Sequence, residues 1–408
     1  MALERMDAAR RDGGHFVVTS YDALVVGAGP AGAALAAGLG RAGARVLLVE
    51  RAHHPRPKAC AEYASPRIVE ELALVGLDRS TWAADAVELK GMDLHAGGHG
   101  VRIAYADPRG PRAAWGVDRR RFDARLAHHA ARQGADLREG VAVVALCDRS
   151  GQVAGARIRD VRTGREETIE ASWVIGADGA RSTVGRLLGV DRPVRFPRRL
   201  GLVAHYEGSG ELLDHGEMHV GRGMYVGLAP TPGGELNVGM ALPLADDGRR
   251  ADVRFSAAIE SLAAVRKQLA GTDRITPIRG AAPIGHRVTR AAGPGWLLVG
   301  DAAGFIDPFT GEGIYRALRS ARAATGALAG GGDVVGTYLR ERRRAFAAKD
   351  ALTWLVQGIL AVPAVLEHAV ERLEARPEAA LRLGSALGDC RPATDALSPR
   401  AILEVLRP

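Results

Sequence analysis

The feature that most constrains this chain is a glycine-rich turn between two short apolar runs near the N-terminus. The first run, residues 21–26, reads YDALVV and is typical of a strand buried on both faces of a parallel sheet. It leads directly into the turn and a helix of small residues, and a second apolar run ends in Glu50. Strand, turn, helix and strand in this order predict a parallel βαβ unit and therefore an α/β fold.

The residues of this turn have the chemistry of a nucleotide-binding site. Gly27 permits the tight turn, Gly29 lets the backbone approach a pyrophosphate, and Gly32 lets the helix lie close to the strand. Glu50, eighteen residues beyond Gly32, can accept hydrogen bonds from a ribose diol. The unit alone leaves open whether the dinucleotide is NAD or FAD. The residues predicted to bind it are Gly27, Ala28, Gly29, Pro30, Ala31, Gly32, Glu50 and Arg51.

Two later turns repeat the pattern of an apolar strand followed by glycine and an acid. Residues 173–180 read WVIGADGA, with Asp178 in the turn, and residues 296–304 read WLLVGDAAG, with Asp301. A further loop, DPFTGEGI at 307–314, precedes another helix. Each aspartate alone is equally compatible with a helix cap. Together with the first turn, the two motifs favour a shared cofactor site.

With three motifs in this order, residues 21–345 resemble the FAD-dependent (group A) flavoprotein monooxygenases, which have the para-hydroxybenzoate hydroxylase fold, near the geranylgeranyl-reductase-like branch of that superfamily. The resemblance implies FAD as cofactor and NADH or NADPH as transient reductant. It implies that Asp301 contacts the ribityl or pyrophosphate part of FAD. The turn with Asp178 would contact the cofactor and help to hold the nicotinamide nucleotide.

The resemblance also assigns residues around the flavin ring. It places Pro308 beside the reacting face and the backbone of Gly311, Gly313 and Ile314 at the pyrimidine edge. Residues 119–123, RRRFD, match the family's Arg-x-x-Phe-Asp element, so Arg119 is expected to touch FAD, with Arg121 as the other candidate.

The same resemblance predicts the division of the chain. The expected fold class is α/β with an α+β insertion. The expected parts are a Rossmann-type FAD-binding domain at 20–85, 112–190 and 285–345, an inserted antiparallel-sheet substrate domain at 86–111 and 191–284, a C-terminal helical segment at 346–408, and a flexible extension at 1–19. For the C-terminal segment, packing on the FAD domain is the simplest expectation, with a lid over an apolar channel or contact with a membrane surface as alternatives.

Candidate catalytic residues come from a segment that resembles the Cys-Gly-Glu segment of the reductase-like branch. Residues 56–67 read RPKACAEYASPR, with Ala61 where that branch has glycine. Lys58, Cys60, Glu62 and Tyr63 are therefore candidates, although a structural connector with a buried cysteine is an equal alternative. His219 and His205, on predicted strands, are weaker candidates for facing the substrate.

Three functions follow from these observations. The leading prediction is an NAD(P)H-consuming monooxygenase of secondary metabolism. It would use O₂ and a flavin C4a-hydroperoxide to hydroxylate an electron-rich aromatic or polyketide-like molecule. The alternative is a reductase of isoprenoid double bonds. That alternative is favoured by the Cys60 segment and opposed by the absence of the branch's Tyr-x-x-Ser-Gly motif. A halogenase is demoted because residues 225–230, YVGLAP, replace a Trp-x-Trp-x-Ile-Pro segment, and an intact cofactor lining argues against a non-catalytic flavin-binding protein.

Composition excludes several other classes. Hydrophobic residues make up 47% of the chain and charged residues 25%, which are ordinary globular values. The net charge of +8 comes mostly from scattered arginines without interleaved aromatics, so nucleic-acid binding is not expected. Three scattered cysteines predict neither a disulfide framework nor a metal site, and favour a cytoplasmic location. No apolar run reaches the length of a membrane span.

Overall fold

The computed structural model describes residues 3–5, 20–208, 213–245 and 247–406. Most of the predicted flexible extension, and residues 209–212 of the predicted substrate domain, therefore lie outside the described residues. Two large sheets, helices around them and a helical C-terminal segment form the mixed α/β architecture that the sequence predicts.

The first sheet has nine strands and a parallel centre. Strands Val46–Glu50, Ser20–Val26, Glu166–Gly176 and Trp296–Leu298 lie side by side and run in the same direction. Their apolar runs are buried because helices cover the sheet, as the continuous hydrophobic pattern indicates. The remaining strands are Leu3–Arg5, Asp136–Glu139, Val141–Arg149, Gln152–Asp160 and Ala292–Gly293.

Within the described residues the second sheet has eight strands, and one pair of them departs from the predicted antiparallel arrangement. Its strands are Met92–Ala96, His99–Ile103, Arg199–Glu207, Gly216–Gly221, Met224–Thr231, Glu235–Pro243, Asp273–Arg274 and Arg279–Ala281. All neighbours are antiparallel except Gly216–Gly221 and Met92–Ala96, which are parallel. Between these two strands the chain passes through the first sheet, so no short hairpin turn forces them to be antiparallel.

Smaller pairings complete the strands. Ala86–Leu89 pairs with Ala114–Val117, which also pairs with Tyr63–Ala64. Tyr105–Asp107 and Gly110–Arg112 form a hairpin, and Asp191–Arg192 pairs with Arg287–Val288.

The helices follow the small-residue and proline signals of the sequence. They are Pro30–Arg41, Ile68–Leu74, Arg79–Trp82, Arg119–Arg132, Thr183–Leu187, Ala251–Ser261, Ala263–Gln268, Gly313–Gly330, Val334–Leu360, Pro363–Glu374, Pro377–Leu387, Thr394–Leu397 and Pro399–Leu406, with 3₁₀ turns at Ala83–Asp85, Gly300–Ala303 and Pro308–Thr310. The long helix Val334–Leu360 runs without a break across the predicted boundary between residues 345 and 346.

The C-terminal helices pack against the second sheet. Leu366, Val370 and Leu373 of helix Pro363–Glu374 share one apolar cluster with Val101 and Ile103 of the sheet. The start of the segment also contacts the expected FAD domain, since Asp350 pairs with Arg316 of helix Gly313–Gly330 at 2.6 Å. The segment therefore packs on the FAD domain, as the simplest expectation states, and on strand His99–Ile103 of the second sheet as well. Within the described ranges no single helix has the length and apolarity to cross a membrane, although Val334–Leu360 and Pro363–Glu374, bent by 112°, pass that test as a pair.

Candidate active site

The three glycine-rich turns meet at the carboxyl ends of neighbouring parallel strands. Gly176 lies in register with Val26 on one side and Leu298 on the other. A side chain at Gly27 would lie 2.7 Å from the Ala177 carbonyl oxygen, and one at Gly300 would lie 2.9 Å from Ala31 Cβ. The turns therefore touch one another, at the edge of the sheet where α/β proteins bind ligands.

The first turn is built for close approach. Gly27 has φ +100°, which L side chains rarely adopt. A side chain at Gly32 would lie 1.9 Å from the Gly27 carbonyl oxygen, so the helix can pack here only without a Cβ. Gly29, by contrast, faces nothing closer than Arg56 Nη2 at 3.7 Å. No side chain caps helix Pro30–Arg41 at Gly29, which leaves its first N–H groups available to an anion.

Glu50 lies beside this turn and is almost fully buried. Its carboxylate accepts hydrogen bonds from the backbone N–H of Ala28 and of Ala52, both at 3.1 Å, and from Arg56 Nη2 at 3.1 Å. Glu50 therefore fixes the turn as well as facing the expected ribose position. Arg51 is exposed. Arg56, which the sequence did not single out, joins Glu50 to Asp123, whose carboxylate lies 3.8 Å away.

The two aspartates of the later turns differ in their bonding. Asp178 accepts hydrogen bonds from Ser182 Oγ at 2.6 Å and from the Thr183 N–H at 2.6 Å, so it caps the following helix, and burial raises its pKa. The Asp301 carboxylate is partly buried and has no hydrogen-bond partner among the described residues. Asp301 is thus available to a ligand, while Asp178 already has the capping role that the sequence left open.

The first arginine of the helix Arg119–Arg132 is the buried one. Arg119 is 4% exposed and donates from Nε and Nη2 to the two oxygens of Asp123, at 2.8 and 2.9 Å. Its Nη1 lies 3.2 Å from Cys60 Sγ. Arg121 is 56% exposed at its side chain and pairs with Asp85, 3.1 Å away. The structure thus brings Arg119, and not Arg121, to the candidate site.

The Cys60 segment is held by a buried polar cluster. Glu62 is 3% exposed and has φ +56°, a conformation that non-glycine residues seldom adopt. Its carboxylate accepts hydrogen bonds from the Arg119 backbone N–H at 3.1 Å, His205 Nε2 at 2.7 Å and Asn237 Nδ2 at 3.0 Å. Asn237 also donates to the Cys60 carbonyl oxygen at 3.0 Å. The structure therefore fixes the segment against both the helix and the second sheet.

Electrostatics within this cluster follow from its burial and pairing. Burial lowers the pKa of His205, but the hydrogen bond and charge of Glu62 outweigh it, and the net pKa is raised. Burial raises the pKa of Asp123, but Arg119 outweighs it, and the net pKa is lowered, with Lys58 contributing in the same direction. The cluster therefore favours charged Asp123 and a protonated His205.

The loop with Pro308 is anchored through Asp307. This buried carboxylate accepts hydrogen bonds from the Tyr225 hydroxyl at 2.7 Å and the Phe309 N–H at 3.0 Å, and pairs with Arg199. Gln357 of the long C-terminal helix accepts from the same Arg199 at 2.7 Å. The loop is therefore fixed to the second sheet and to the C-terminal segment, and Gly311 then adopts φ +69° before helix Gly313–Gly330 starts.

A buried charge network joins this helix to the C-terminal segment. Lys349 Nζ lies 3.3 Å from Glu312 Oε1 and 3.1 Å from Asp389 Oδ1, and donates to the carbonyl oxygens of Ala386 and Leu387 at 2.7 and 2.6 Å. Burial raises the pKa of Asp389 to about 7, although Lys349 opposes the rise. No local sequence pattern marks this network, because its members are far apart along the chain.

An apolar cavity lies between the second sheet and the C-terminal helices, beside Thr310 and Gly311. It encloses about 800 Å³ of empty space, including its open mouth. Strands supply Met92, Leu94 and Met218, and the helices supply aliphatic side chains such as Leu360 and Leu366. Of the four candidate catalytic residues in the Cys60 segment, Tyr63 lines this cavity, and Cys60, Glu62 and Lys58 do not border it.

His219 lies on the opposite face of the sheet from this cavity. Met218 lines the cavity, and successive side chains on a strand point to opposite faces. His219 instead stacks on His95, with ring centroids 4.6 Å apart, and its Nε2 lies 2.7 Å from Glu217. The sequence predicts that His219 faces the substrate, and the structure places it away from this cavity. His205 is held by Glu62 and does not border the cavity either.

These features fit an ADP-containing flavin cofactor. The side-chain-free position at Gly29, the uncapped helix N-terminus and the unpartnered carboxylate of Asp301 lie along one edge of the sheet. That edge leads toward the loop of Pro308 and Gly311, which borders the apolar cavity.

Comparisons with known proteins agree with this geometry. Residues 20–348 match the model of the FAD binding domain family. A menaquinone reductase of Mycolicibacterium smegmatis is 34% identical over 326 residues, 77% of this chain and 78% of that protein. A digeranylgeranylglycerophospholipid reductase of Methanosarcina acetivorans is 32% identical over 313 residues, 74% of each chain.

A solved structure extends the likeness to nearly the whole chain. A geranylgeranyl bacteriochlorophyll reductase-like protein from Thermoplasma acidophilum superimposes with a TM-score of 0.77 and 24% identity, over 95% of this chain and 97% of that one. At this identity the match shows the fold alone. The family model and the two relatives show the rest: the protein belongs to the FAD binding domain family and is an FAD-dependent oxidoreductase, in agreement with the geranylgeranyl-reductase-like branch.

Proposed function

We propose that this protein reduces a carbon–carbon double bond in the isoprenoid part of a lipophilic small molecule. The observation that carries the proposal is the apolar cavity beside Thr310 and Gly311, walled by the C-terminal helices. A cavity lined almost entirely by aliphatic side chains suits a hydrocarbon chain, because such a chain gains free energy from leaving water and needs few polar partners. The names of the two relatives, both reductases, support the same reading.

The proposed cofactor contacts follow from the site. The Gly27–Ala31 backbone and Arg56 would hold the pyrophosphate, Glu50 the ribose, and Asp301 the ribityl or pyrophosphate oxygens. Pro308 and the backbone of Gly311, Gly313 and Ile314 would border the ring. A bound reduced FAD would supply the hydride for one carbon of the double bond, a proton from water would complete the other carbon, and NADH or NADPH is the proposed reductant that renews the flavin.

The protein's own contribution is positional. The Glu62 cluster holds the Cys60 segment, and the Asp307 anchor holds the loop beside the cavity. The C-terminal helices exclude water from the cavity because their aliphatic side chains form its wall. Cys60, Glu62 and Lys58 remain proposed site residues on the cofactor side of Tyr63, with Glu62 in a positioning role.

Hydroxylation by a monooxygenase, the leading prediction from sequence, is the second candidate. It is favoured by the water-excluding wall of the cavity, which any flavin reaction with O₂ also requires. The aromatic substrate predicted for it finds less support, because Phe309 and the two tyrosines are the only aromatic side chains that line this cavity of the described chain. Halogenation stays demoted on the sequence of residues 225–230.

The test is the mass of the product. The FAD-loaded protein is incubated with NADH or NADPH and a prenylated naphthoquinone or a geranylgeranyl lipid, with and without O₂. A product formed without O₂ that still carries two added hydrogen atoms in its isoprenoid chain after any quinol has been reoxidised in air supports the reductase. A product that gains one oxygen atom, formed only with O₂, supports the monooxygenase and overturns the proposal. A cytoplasmic location remains a prediction that fractionation of cells can test.

A further inference from the structure

Two tyrosines form a polar pair in the wall of the cavity. Tyr63 and Tyr105 both line the cavity, are 7% and 5% exposed, and their hydroxyl oxygens lie 2.8 Å apart. Among the other described lining residues only Thr310 carries a side-chain oxygen or nitrogen. A hydroxyl pair at the wall of an otherwise aliphatic cavity is therefore the place where a ligand could be recognised by hydrogen bonding.

The hydrogen count of this pair leaves one donor without an acceptor. Each phenol has one O–H hydrogen, and the bond between the two hydroxyls uses one of them. Among the described residues, no other hydrogen bond reaches either hydroxyl. A buried O–H without an acceptor costs free energy, so the arrangement is complete only when an oxygen atom in the cavity accepts from it.

The two tyrosine rings lie in space that three glycines leave open. The Tyr63 ring fits between Gly216 and Gly311, where a Cβ would lie 2.9 Å from Cε2 and 2.7 Å from Cδ1. The Tyr105 ring lies against Gly388, where a Cβ would lie 2.4 Å from Cδ1. Three glycines from separate parts of the chain thus leave room for these two rings, which indicates a preorganised pair rather than a chance contact.

Both hydroxyls also stay protonated. Burial raises the pKa of Tyr63 and of Tyr105 above the ordinary tyrosine value. Each remains a hydrogen-bond donor over the physiological pH range, and neither serves as a base.

We propose that the Tyr63–Tyr105 pair is a recognition site that donates a hydrogen bond to a carbonyl oxygen of an otherwise apolar ligand. The pair thus selects lipophilic molecules with an oxygenated head, such as a quinone, over plain hydrocarbons. The proposal rests on the proposed function, because it places the ligand in the same cavity beside the flavin loop. It adds the polar group by which that ligand is recognised and oriented.

The test compares two probes that differ only in their carbonyl groups. Binding of a decyl-substituted methylnaphthoquinone and of the corresponding decyl-substituted methylnaphthalene is measured by fluorescence quenching of the oxidised, FAD-loaded protein. We expect the quinone to bind about tenfold more tightly, as one buried hydrogen bond predicts. Equal affinities would overturn the proposal without any mutation.

Variants then locate the preference. In Tyr63→Phe/Tyr105→Phe both probes should bind with similar affinity, because the cavity keeps its shape and loses its donors. Tyr21→Phe is the matched control, because it removes a tyrosine hydroxyl on the first sheet that bonds Asp136 at 2.7 Å. This variant should keep the preference for the quinone. A quinone preference that survives the double substitution overturns the proposal. If the double variant does not fold, the probe pair on the wild-type protein still decides it.

The result of this binding test is independent of the result for the proposed function. A carbonyl preference that depends on the tyrosines, without any reduction of an isoprenoid double bond, would keep the recognition site and reject the reductase. Reduction of such a bond with no carbonyl preference would do the reverse.

Discussion

Replacement of Arg119 by methionine tests whether the buried pair beside Cys60 supports both the fold and the cofactor. Arg119 is 4% exposed, Asp123 is fully buried, and two hydrogen bonds of 2.8 and 2.9 Å join them. The substitution leaves the Asp123 carboxylate with Arg56, 3.8 Å away, as its ion-pair partner. Removal of one member of a buried ion pair typically costs about 3–5 kcal/mol. We expect a loss of that order in the free energy of unfolding at neutral pH, and a lower FAD content.

The loss should depend on pH in a defined direction. In the wild-type protein the net pKa of Asp123 is lowered, so the carboxylate contributes stability above its unfolded pKa and loses it as the pH falls through the folded pKa. In the variant Arg119 no longer offsets the effect of burial, which raises the pKa of Asp123. At acidic pH Asp123 is then protonated and carries no charge. The difference between the two proteins should therefore be full at neutral pH and shrink toward a pH of about 4.

The assay is urea unfolding followed by circular dichroism at neutral and acidic pH, with bound FAD counted per chain. Arg121→Met is the matched control from the same helix, because its side chain is 56% exposed and Asp85 keeps Arg125 as a partner. It should change the free energy of unfolding by no more than about 1 kcal/mol and keep the FAD content. An equal loss in both variants would refute the reasoning.

Three further predictions test other contacts described above. Gly32→Ala should lower both the melting temperature and the FAD content, because its Cβ would lie 1.9 Å from a carbonyl oxygen. Gly29→Ala, whose Cβ would lie 3.7 Å from the nearest atom, should lower the FAD content alone. A folded, yellow Gly32→Ala protein would contradict this. Glu62→Gln should destabilise the fold most at a pH below about 6.5, because pairing with Glu62 raises the pKa of His205. This pH-dependent part of the loss should vanish as the pH rises through the pKa of His205 in the folded protein. A loss in urea unfolding that does not depend on pH would count against the pairing. Ala369→Phe, in the cavity wall, should shorten the longest alkyl probe that binds while FAD content stays unchanged; unchanged chain-length selectivity would place the ligand elsewhere.

Local signals in the sequence were enough for the parallel sheet and for a shared nucleotide site at its edge, whereas the choice of FAD came from the family resemblance. The turns at Gly27, Asp178 and Asp301 each follow a short apolar strand. Because parallel strands bring their carboxyl ends to one edge of a sheet, the three turns meet once their strands lie side by side. The prolines at 363 and 377 begin helices for the same local reason, since proline fits the first helical turn.

The rest of the site depends on contacts between distant parts of the chain. Asn237 reaches Glu62 across 175 positions, and Lys349 reaches Glu312 and Asp389 only after the C-terminal helices have packed. No local pattern marks such residues. His219 shows a different limit: alternation along a strand says which residues share a face, but not which face meets the cavity.

The most direct measurement follows the flavin itself in the absence of oxygen. The FAD-loaded protein is reduced, freed of excess reductant and mixed anaerobically with geranylgeraniol or with its fully saturated counterpart. We expect the absorbance of oxidised flavin to return with geranylgeraniol and not with the saturated alcohol. Flavin that stays reduced with both alcohols, and turns over only when air is admitted to give a product with an added oxygen atom, would contradict it.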